Sequence, residues 1–275
     1  MIAAERRNRI KEIVLTQGAV KVSELVVQFG VSEETIRRDL NELEREGLVE
    51  KNYGGALAVE ETRQMIAAIP NVHQRKIENL EEKTAIAAKA ASIVQEGQVI
   101  LLDSGSTTWC LARQLWHLQN LTIITNSVDI ASSCSQYERW NIHVLGGTLN
   151  KRSMCLIGPT TQYLLQNYNV DICFLGTSGV VLSKGFTSSD IYESQIKDSM
   201  VKISSKVVVL ADSSKFDNKG LSTFARFSDV DSLYVTDKLD AERLRHLKSQ
   251  IGDVVVCSTQ KQNGGKNYEG KNGNF

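Results

Sequence analysis

Through residues 1–59 the apolar positions come in short bursts at helical spacing, punctuated by glycines. Ile10, Ile13 and Val14 follow the Arg6-Arg7-Asn8-Arg9 cluster, and Gly18 is placed to end that first helix in a left-handed conformation. Ser23 predicts the N-cap of a second helix of about two turns, with Val22 and Val27 at the positions of a hydrophobic staple and Gly30 closing it. The third helix repeats this grammar. Ser32 caps it, Val31 and Ile36 form the staple pair, Glu33 and Glu34 sit where the helix dipole favours negative charge, and Gly47 stops it. Ile36, Leu40 and Leu43 form its buried seam, and everything else on it is expected to face outward. Leu48–Lys51 and Ala56–Val59 then flank Asn52-Tyr53-Gly54-Gly55, a strand, turn and strand. Two short capped helices joined at Gly30-Val31 and followed by a hairpin predict a winged helix-turn-helix over residues 1–59.

From residue 60 to 82 the chain is charged, lacks a strong apolar period and contains Pro70, so it reads as a linker. A different rhythm fills 83–258. Short β-branched runs recur at Val99–Leu102, Thr122–Thr125, Ile142–Leu145, Ile172–Leu175, Val207–Ala211, Leu233–Thr236 and Val254–Cys257, with helical stretches between most of them. This alternation predicts an open, mainly parallel α/β sheet domain, larger than the first. Residues 259–275, rich in Gly, Asn and Lys, carry no core pattern and are expected to be a disordered tail.

Composition narrows the classes of function. A chain of 275 residues with 41% hydrophobic and 23% charged positions has length for two domains and sequence for a proper core. Its longest apolar runs are strand-sized, and its start turns charged at once, so neither a membrane span nor a secretory leader is expected and the protein is placed in the cytoplasm. The five cysteines are widely spaced without a C-x-x-C pair, which predicts reduced, buried thiols, no metal site and no cofactor. The formal net charge is zero, so a nucleic-acid partner must be argued from local arrangement.

That arrangement exists on the third helix. Ser32, Glu33, Thr35, Arg37 and Arg38 are exposed near its start, the part of a recognition helix that enters the major groove, and Lys51 and Tyr53 stand at the wing tip. The expected partner is double-stranded operator DNA, bound by at least a dimer, either a homodimer or a homotetramer. In the second domain Asp103, Ser104, Gly105, Ser106, Thr107 and Thr108 lie where a strand passes into a helix, offering backbone and hydroxyl donors to an anion. Similar polar loops recur at Thr125-Asn126-Ser127, Gly146-Gly147, Gly176-Thr177-Ser178-Gly179 and Asp212-Ser213-Ser214-Lys215, each after a strand. With Lys197 and Lys215 for charge, they suit a phosphorylated, hydroxyl-rich ligand. Asp103, Asp171, Asp212, Glu193, Lys197 and Lys215 show no spacing diagnostic of a reaction, and no catalytic residue is assigned. His73, His117, His143 and His246 are scattered singly.

These segments together resemble the DeoR family of bacterial transcriptional regulators. The resemblance rests on Val22-Ser23-Glu24-Leu25, Phe29-Gly30-Val31-Ser32, Thr35-Ile36-Arg37-Arg38-Asp39-Leu40 and Gly54-Gly55-Ala56 in the first domain. In the second it rests on Asp103–Thr108, Thr125-Asn126-Ser127, Gly146-Gly147, Gly185-Phe186-Thr187, Glu193 with Lys197, and Leu210-Ala211-Asp212-Ser213-Ser214-Lys215-Phe216. It implies a regulator, a repressor of a carbohydrate-utilisation operon, with a sugar-phosphate sensor similar to ribose-5-phosphate isomerase. Tyr53 departs from the histidine the family places before the two glycines, and the tail beyond Ser258 matches nothing in it. The competing reading is an active sugar-phosphate isomerase. Enzymes of that fold carry Asp-Gly-Ala-Asp, whereas this chain has Asp171-Ile172-Cys173-Phe174, which replaces the second carboxylate by phenylalanine. A DNA-architectural protein without a ligand would leave the polar loops unexplained.

Overall fold

The computed structural model describes residues 2–17, 19–45, 49–52, 54–59 and 71–259. The chain divides into two compact units, Met1–Pro70 and Asn71–Phe275. Gly18, Gly47, Leu48 and Tyr53, residues 60–70 of the expected linker and nearly all of the tail lie outside the described residues.

The first unit contains α1 (Ala3–Gln17), β1 (Ala19–Lys21), α2 (Val22–Phe29), α3 (Glu33–Arg45), β2 (Val49–Asn52) and β3 (Gly55–Ala58). Its core is Ile10 and Val14 of α1, Leu25 of α2, the Ile36, Leu40 and Leu43 seam of α3, and Val49 and Ala56 of the hairpin. β1, which the hydrophobic pattern does not announce, pairs with β3 and makes the wing a three-stranded antiparallel sheet. That pairing explains Gly55, where a Cβ would stand 2.0 Å from the Val20 carbonyl oxygen. Gly30 ends α2 at φ +63°, the left-handed turn that leads into α3.

Three local expectations are corrected. Ser23 is not the cap of α2: the helix starts a residue earlier, and the Glu24 carboxylate accepts from the Lys21 backbone N–H at 3.4 Å. Val27 is 85% exposed, so it forms no staple with buried Val22. Asp39 does not face outward. It is buried and takes a 2.6 Å hydrogen bond from Arg6 Nε, so an ion pair joins α1 to the recognition helix beside its apolar seam. Ser32 does cap α3, accepting from the Thr35 N–H at 3.3 Å.

In the second unit α4 (Val72–Ile77) and α5 (Leu80–Ala91) occupy residues that the sequence reading assigns partly to the linker. Val72, Glu82 and Lys83 are buried there; Val72 bonds to Arg152 and Glu82 to Ser213 and Thr236, partners distant in sequence that no local pattern displays. The sheet has seven parallel strands in the order β15-β14-β12-β9-β4-β5-β6. These are β4 (Val99–Leu102), β5 (Thr122–Thr125), β6 (Asn141–Val144), β9 (Val170–Gly176), β12 (Ser204–Leu210), β14 (Ser232–Thr236) and β15 (Asp253–Cys257). Alternate residues feed two cores. Leu101, Cys173, Val209 and Leu233 pack on one face with Ile196 and Met200 of α9 (Ile191–Lys202), and Ile100, Phe174, Val208 and Tyr234 on the other with Ile86 of α5 and Leu111 of α6 (Ser106–Gln114). Burial on both faces is why these strands read as continuous apolar runs.

Two additions escape the sequence pattern. A hairpin pairs β7 (Thr148–Asn150) with β8 (Cys155–Ile157), and a small antiparallel sheet joins β10 (Gly179–Val181), β11 (Gly185–Ser188) and β13 (Ser222–Ala225). All five cysteines are buried and unpaired, and burial pushes the Cys134 thiol up to about 12. Among the described residues no helix is long and apolar enough to cross a membrane.

Truncating Asp39 leaves the Arg6 guanidinium buried without its carboxylate, a loss of ~3 to 5 kcal/mol for a fully buried pair. Hydrogen exchange on the full chain should show Asp39→Ala loosening α1 and α3 while leaving the β4–β9 amides protected. Unchanged α1 protection would show that the apolar seam alone holds these helices together.

Candidate functional site

Chain order reverses between β4 and β9: from β4 the sheet grows through β5 and β6, and from β9 through β12, β14 and β15. Open α/β sheets form a crevice at the carboxyl ends of the strands flanking such a reversal. Here those ends are Leu102 and Gly176, and Asp103 stands between them.

Asp103 is 1% exposed and its carboxylate is saturated by four donors. Oδ1 accepts from the Gly105 N–H at 2.8 Å and the Thr108 hydroxyl at 2.6 Å. Oδ2 accepts from the Gly176 N–H at 2.9 Å and from Lys197 Nζ. The Lys197 ammonium also donates to the Gly176 carbonyl at 2.9 Å. Asp103 and Lys197 therefore form a buried, internally satisfied pair beneath the cleft.

Above this pair the cleft is lined by Ser104–Thr107, by Gly176, Thr177 and Ser178, and by Lys197 and Lys215, all from the sequence-expected loops and cations. Thr177 spends its hydroxyl on the Gly179 and Thr187 carbonyls, at 2.8 and 2.9 Å. α6 begins at Ser106, so its first amides have no carbonyl within the helix. The Ser106 and Thr107 hydroxyls make no hydrogen bond with any described residue. Unspent donors at a helix amino end beside cations are suited to an anion.

Other expected residues lie elsewhere or are engaged internally. Thr125 Oγ1 donates to the Leu102 carbonyl at 2.7 Å, Asn126 Nδ2 to the Leu156 carbonyl at 3.1 Å, and Ser127 Oγ caps α7 (Val128–Cys134) by accepting from Ile130. Gly146 accepts from Thr161 at 2.7 Å, and a Cβ on Gly147 would stand 2.2 Å from the same hydroxyl, so this pair makes room for packing. None of these five residues lines the cleft. Asp212 is fully buried and accepts from the Ser214 N–H at 3.1 Å, while its Oδ2 sits 3.7 Å from Lys83 Nζ and 3.8 Å from Lys215 Nζ. Asp171 accepts from the Val99 N–H at 2.8 Å, at the opposite end of β9 from the cleft.

Sequence reading missed Arg75 of α4 as a cleft residue and gave Glu193 of α9 no placement in it. Arg75 sits in a charged segment without apolar period, where only tertiary structure reveals its neighbours. Glu193 accepts from Asn150 Nδ2 at 3.2 Å, and the same amide lies 3.3 Å from Asp190. Burial, and for Glu193 the neighbouring Asp190 charge, push both carboxyls above their ordinary range.

On the first unit Ser32, Glu33, Arg37 and Arg38 are exposed and Thr35 is half-buried. Arg37 pairs with Glu33 at 2.5 Å, one helical turn away, whereas Arg38 makes no hydrogen bond or ion pair with any described residue. Lys51 does not project from the wing tip. Its ammonium donates to Asn41 at 2.7 Å and pairs with Glu44 at 2.9 Å, pinning the wing to α3.

A winged helix-turn-helix together with an α/β unit whose cleft opens at the strand reversal defines a DNA-binding transcription regulator with a sensing domain. Residues 6–62 match the DeoR-like helix-turn-helix domain and residues 78–238 the DeoR C terminal sensor domain, so the chain belongs to the DeoR family. It is 35% identical over 262 residues to the uncharacterized HTH-type transcriptional regulator YulB of Bacillus subtilis, spanning 95% of this chain and 100% of that one. It is 36% identical to the HTH-type transcriptional regulator GlpR of Haloferax volcanii, over 93% of this chain and 98% of that one. It is 33% identical to the glycerol-3-phosphate regulon repressor of Escherichia coli, over 85% of this chain and 91% of that one. Ribose 5-phosphate isomerase A of Methanocaldococcus jannaschii overlays at a TM-score of 0.38 with 23% identity, over 50% of this chain and 55% of that one, a likeness too distant to carry any inference. The protein is a transcription regulator of this family.

Asp103→Ala should cost ~3 to 5 kcal/mol, because it leaves the Lys197 cation buried and unpaired. Adding Lys197→Met should restore part of that loss, as urea unfolding followed by fluorescence of Trp109, Trp116 and Trp140 would show. Equal stability of the single and double variants would mean that the pair is not what holds this junction.

A carboxyl whose pKa is raised on folding holds its proton more tightly in the native state, so its contribution to stability is full below the unfolded value and is lost as pH rises through the folded one. Glu193→Gln should therefore flatten the fall in stability of the second unit as pH increases above 4.5, the ordinary glutamate value. An identical pH slope in wild type and variant would refute this assignment.

Proposed function

We propose that this regulator is a repressor of carbohydrate-utilisation genes whose grip on operator DNA is altered by a phosphorylated sugar held in the β4–β9 cleft. The observation that carries this reading is the set of unspent donors at the amino end of α6, with the Ser106 and Thr107 hydroxyls beside them and Lys215 close by. The phosphate takes the α6 amides and hydroxyls, and the sugar hydroxyls face Ser178 and Glu193 across the cleft. Asp103, whose carboxylate is saturated within the fold, supports the site from beneath and does not touch the ligand. The Escherichia coli relative, named a glycerol-3-phosphate regulon repressor, supports a phosphorylated ligand of small size.

On DNA, Arg38 reads or grips the major groove, and Arg37 joins it once its pairing with Glu33 gives way to the phosphate backbone. Ser32 and Thr35 sit alongside at the helix start. One such head covers few base pairs, so a dimer or tetramer spans half-sites whose centres are roughly 34 Å or a multiple apart. A ligand shifts this equilibrium only through its differential affinity for two arrangements, commonly ~1 to 3 kcal/mol, or roughly a 5 to 150-fold change in operator binding.

With an operator recovered by binding-site selection, the Arg37→Ala, Arg38→Ala double variant should stay folded and lose at least ~1 to 3 kcal/mol of binding for a base-reading arginine. Wild-type affinity in that variant removes these residues from the interface. Ser106→Asp places a fixed negative charge where the phosphate is to sit. The variant should bind operator normally and ignore a phosphosugar panel that releases or tightens the wild type. A normal response would move the phosphate elsewhere, and turnover of any panel sugar by the wild type would overturn the sensor reading.

A further inference from the structure

Of the three cations lining the cleft, two are already matched to carboxylates. Lys197 is bonded to Asp103, and Lys215 lies 3.8 Å from Asp212. Arg75 is different. Its charge acts on Glu193 and Arg152 through space, but its guanidinium forms no hydrogen bond or ion pair with any described residue, and its Nε is buried with no acceptor. A buried donor without an acceptor is costly, and a ligand oxygen that meets it removes the cost. The planar guanidinium offers a fork that fits two oxygens of one phosphate, which a lysine cannot reproduce.

The position of Arg75 gives this a second consequence. It lies on α4, the first helix of the second unit, a few residues after the division at Pro70 and Asn71. The backbone of α4 is fixed at both ends: the Val72 N–H donates to the Arg152 carbonyl at 3.0 Å, and buried Lys83 donates to the carbonyls of Arg75, at 2.9 Å, and Glu78. The side chain is therefore the part of α4 left available to a ligand. We infer that Arg75 is an anion-binding residue of the cleft that clamps the effector's phosphate, so that occupancy tightens the helix leading from the DNA-binding unit.

The inference rests on reading the cleft as a phosphate site, and inorganic phosphate on the full-length protein tests the two separately. Titration calorimetry should show Arg75→Gln weakening phosphate binding about tenfold to a hundredfold, the range for a charge-assisted hydrogen-bond pair, with Arg75→Lys in between. Thermal unfolding should remain near wild type, since no hydrogen bond within the fold is lost and the attraction to Glu193 is offset by relief of repulsion from Arg152. Hydrogen exchange should report the coupling: phosphate slows exchange over both Ser104–Thr108 and Val72–Glu78 in wild type, and over Ser104–Thr108 alone in Arg75→Gln. If wild type and Arg75→Gln bind phosphate equally while Ser106→Asp does not bind it, Arg75 is no clamp and the cleft reading stands. If the wild type takes up no phosphate, both fall together.

Discussion

The carboxylate of Asp103 is the constraint on which the sensing unit turns. Four donors from four separate places, the turn amide of Gly105, the hydroxyl of Thr108, the strand-end amide of Gly176 and the ammonium of Lys197, converge on its two oxygens. A buried carboxylate with fewer partners would be expelled or protonated, so the arrangement is secured as a set. By drawing β4, β9 and α9 to one point it fixes the mouth of the strand reversal and aims the start of α6 across it. The first unit has a smaller counterpart in Arg6 and Asp39, which sets α1 against the recognition helix.

Much of this was legible in the residues, and what was hidden shares one cause. The inner strands of the sheet announce themselves because both faces are buried, so runs such as Val99–Leu102 and Val207–Leu210 are apolar throughout. The α3 seam shows equally well as a 3.6-residue period. By contrast β1 is three residues long and exists only because β3 lies beside it, and the short hairpin of β10 and β11 is completed by β13 from far along the chain. Val27 occupies a staple position by spacing and yet meets solvent, because tertiary packing overrides local grammar.

The candidate site was legible as a kind of loop but not as a place. The polar loops after β4, β5, β6, β9 and β12 look alike in composition, and a parallel sheet does bring strand ends to one edge. Only the loops flanking the reversal, with Lys215 after β12, face the cleft; Thr125, Asn126, Ser127, Gly146 and Gly147 are consumed in holding neighbouring backbone. Arg75 was invisible for the opposite reason, since nothing in a charged helix tells which of its side chains turns inward.

This division between groups saturated inside the fold and groups left open has a bearing on diversification. Asp103, Thr108 and Lys197 are a frame whose bonds are all internal, and changing any one disturbs the others. Ser106 and Thr107 line the cleft with hydroxyls that bond to no described residue, and an altered side chain there changes what the cleft reads while the frame keeps it open. The same scaffold can in this way be retuned from one small ligand to another by a handful of exchanges in the cleft lining, without rebuilding the architecture around it.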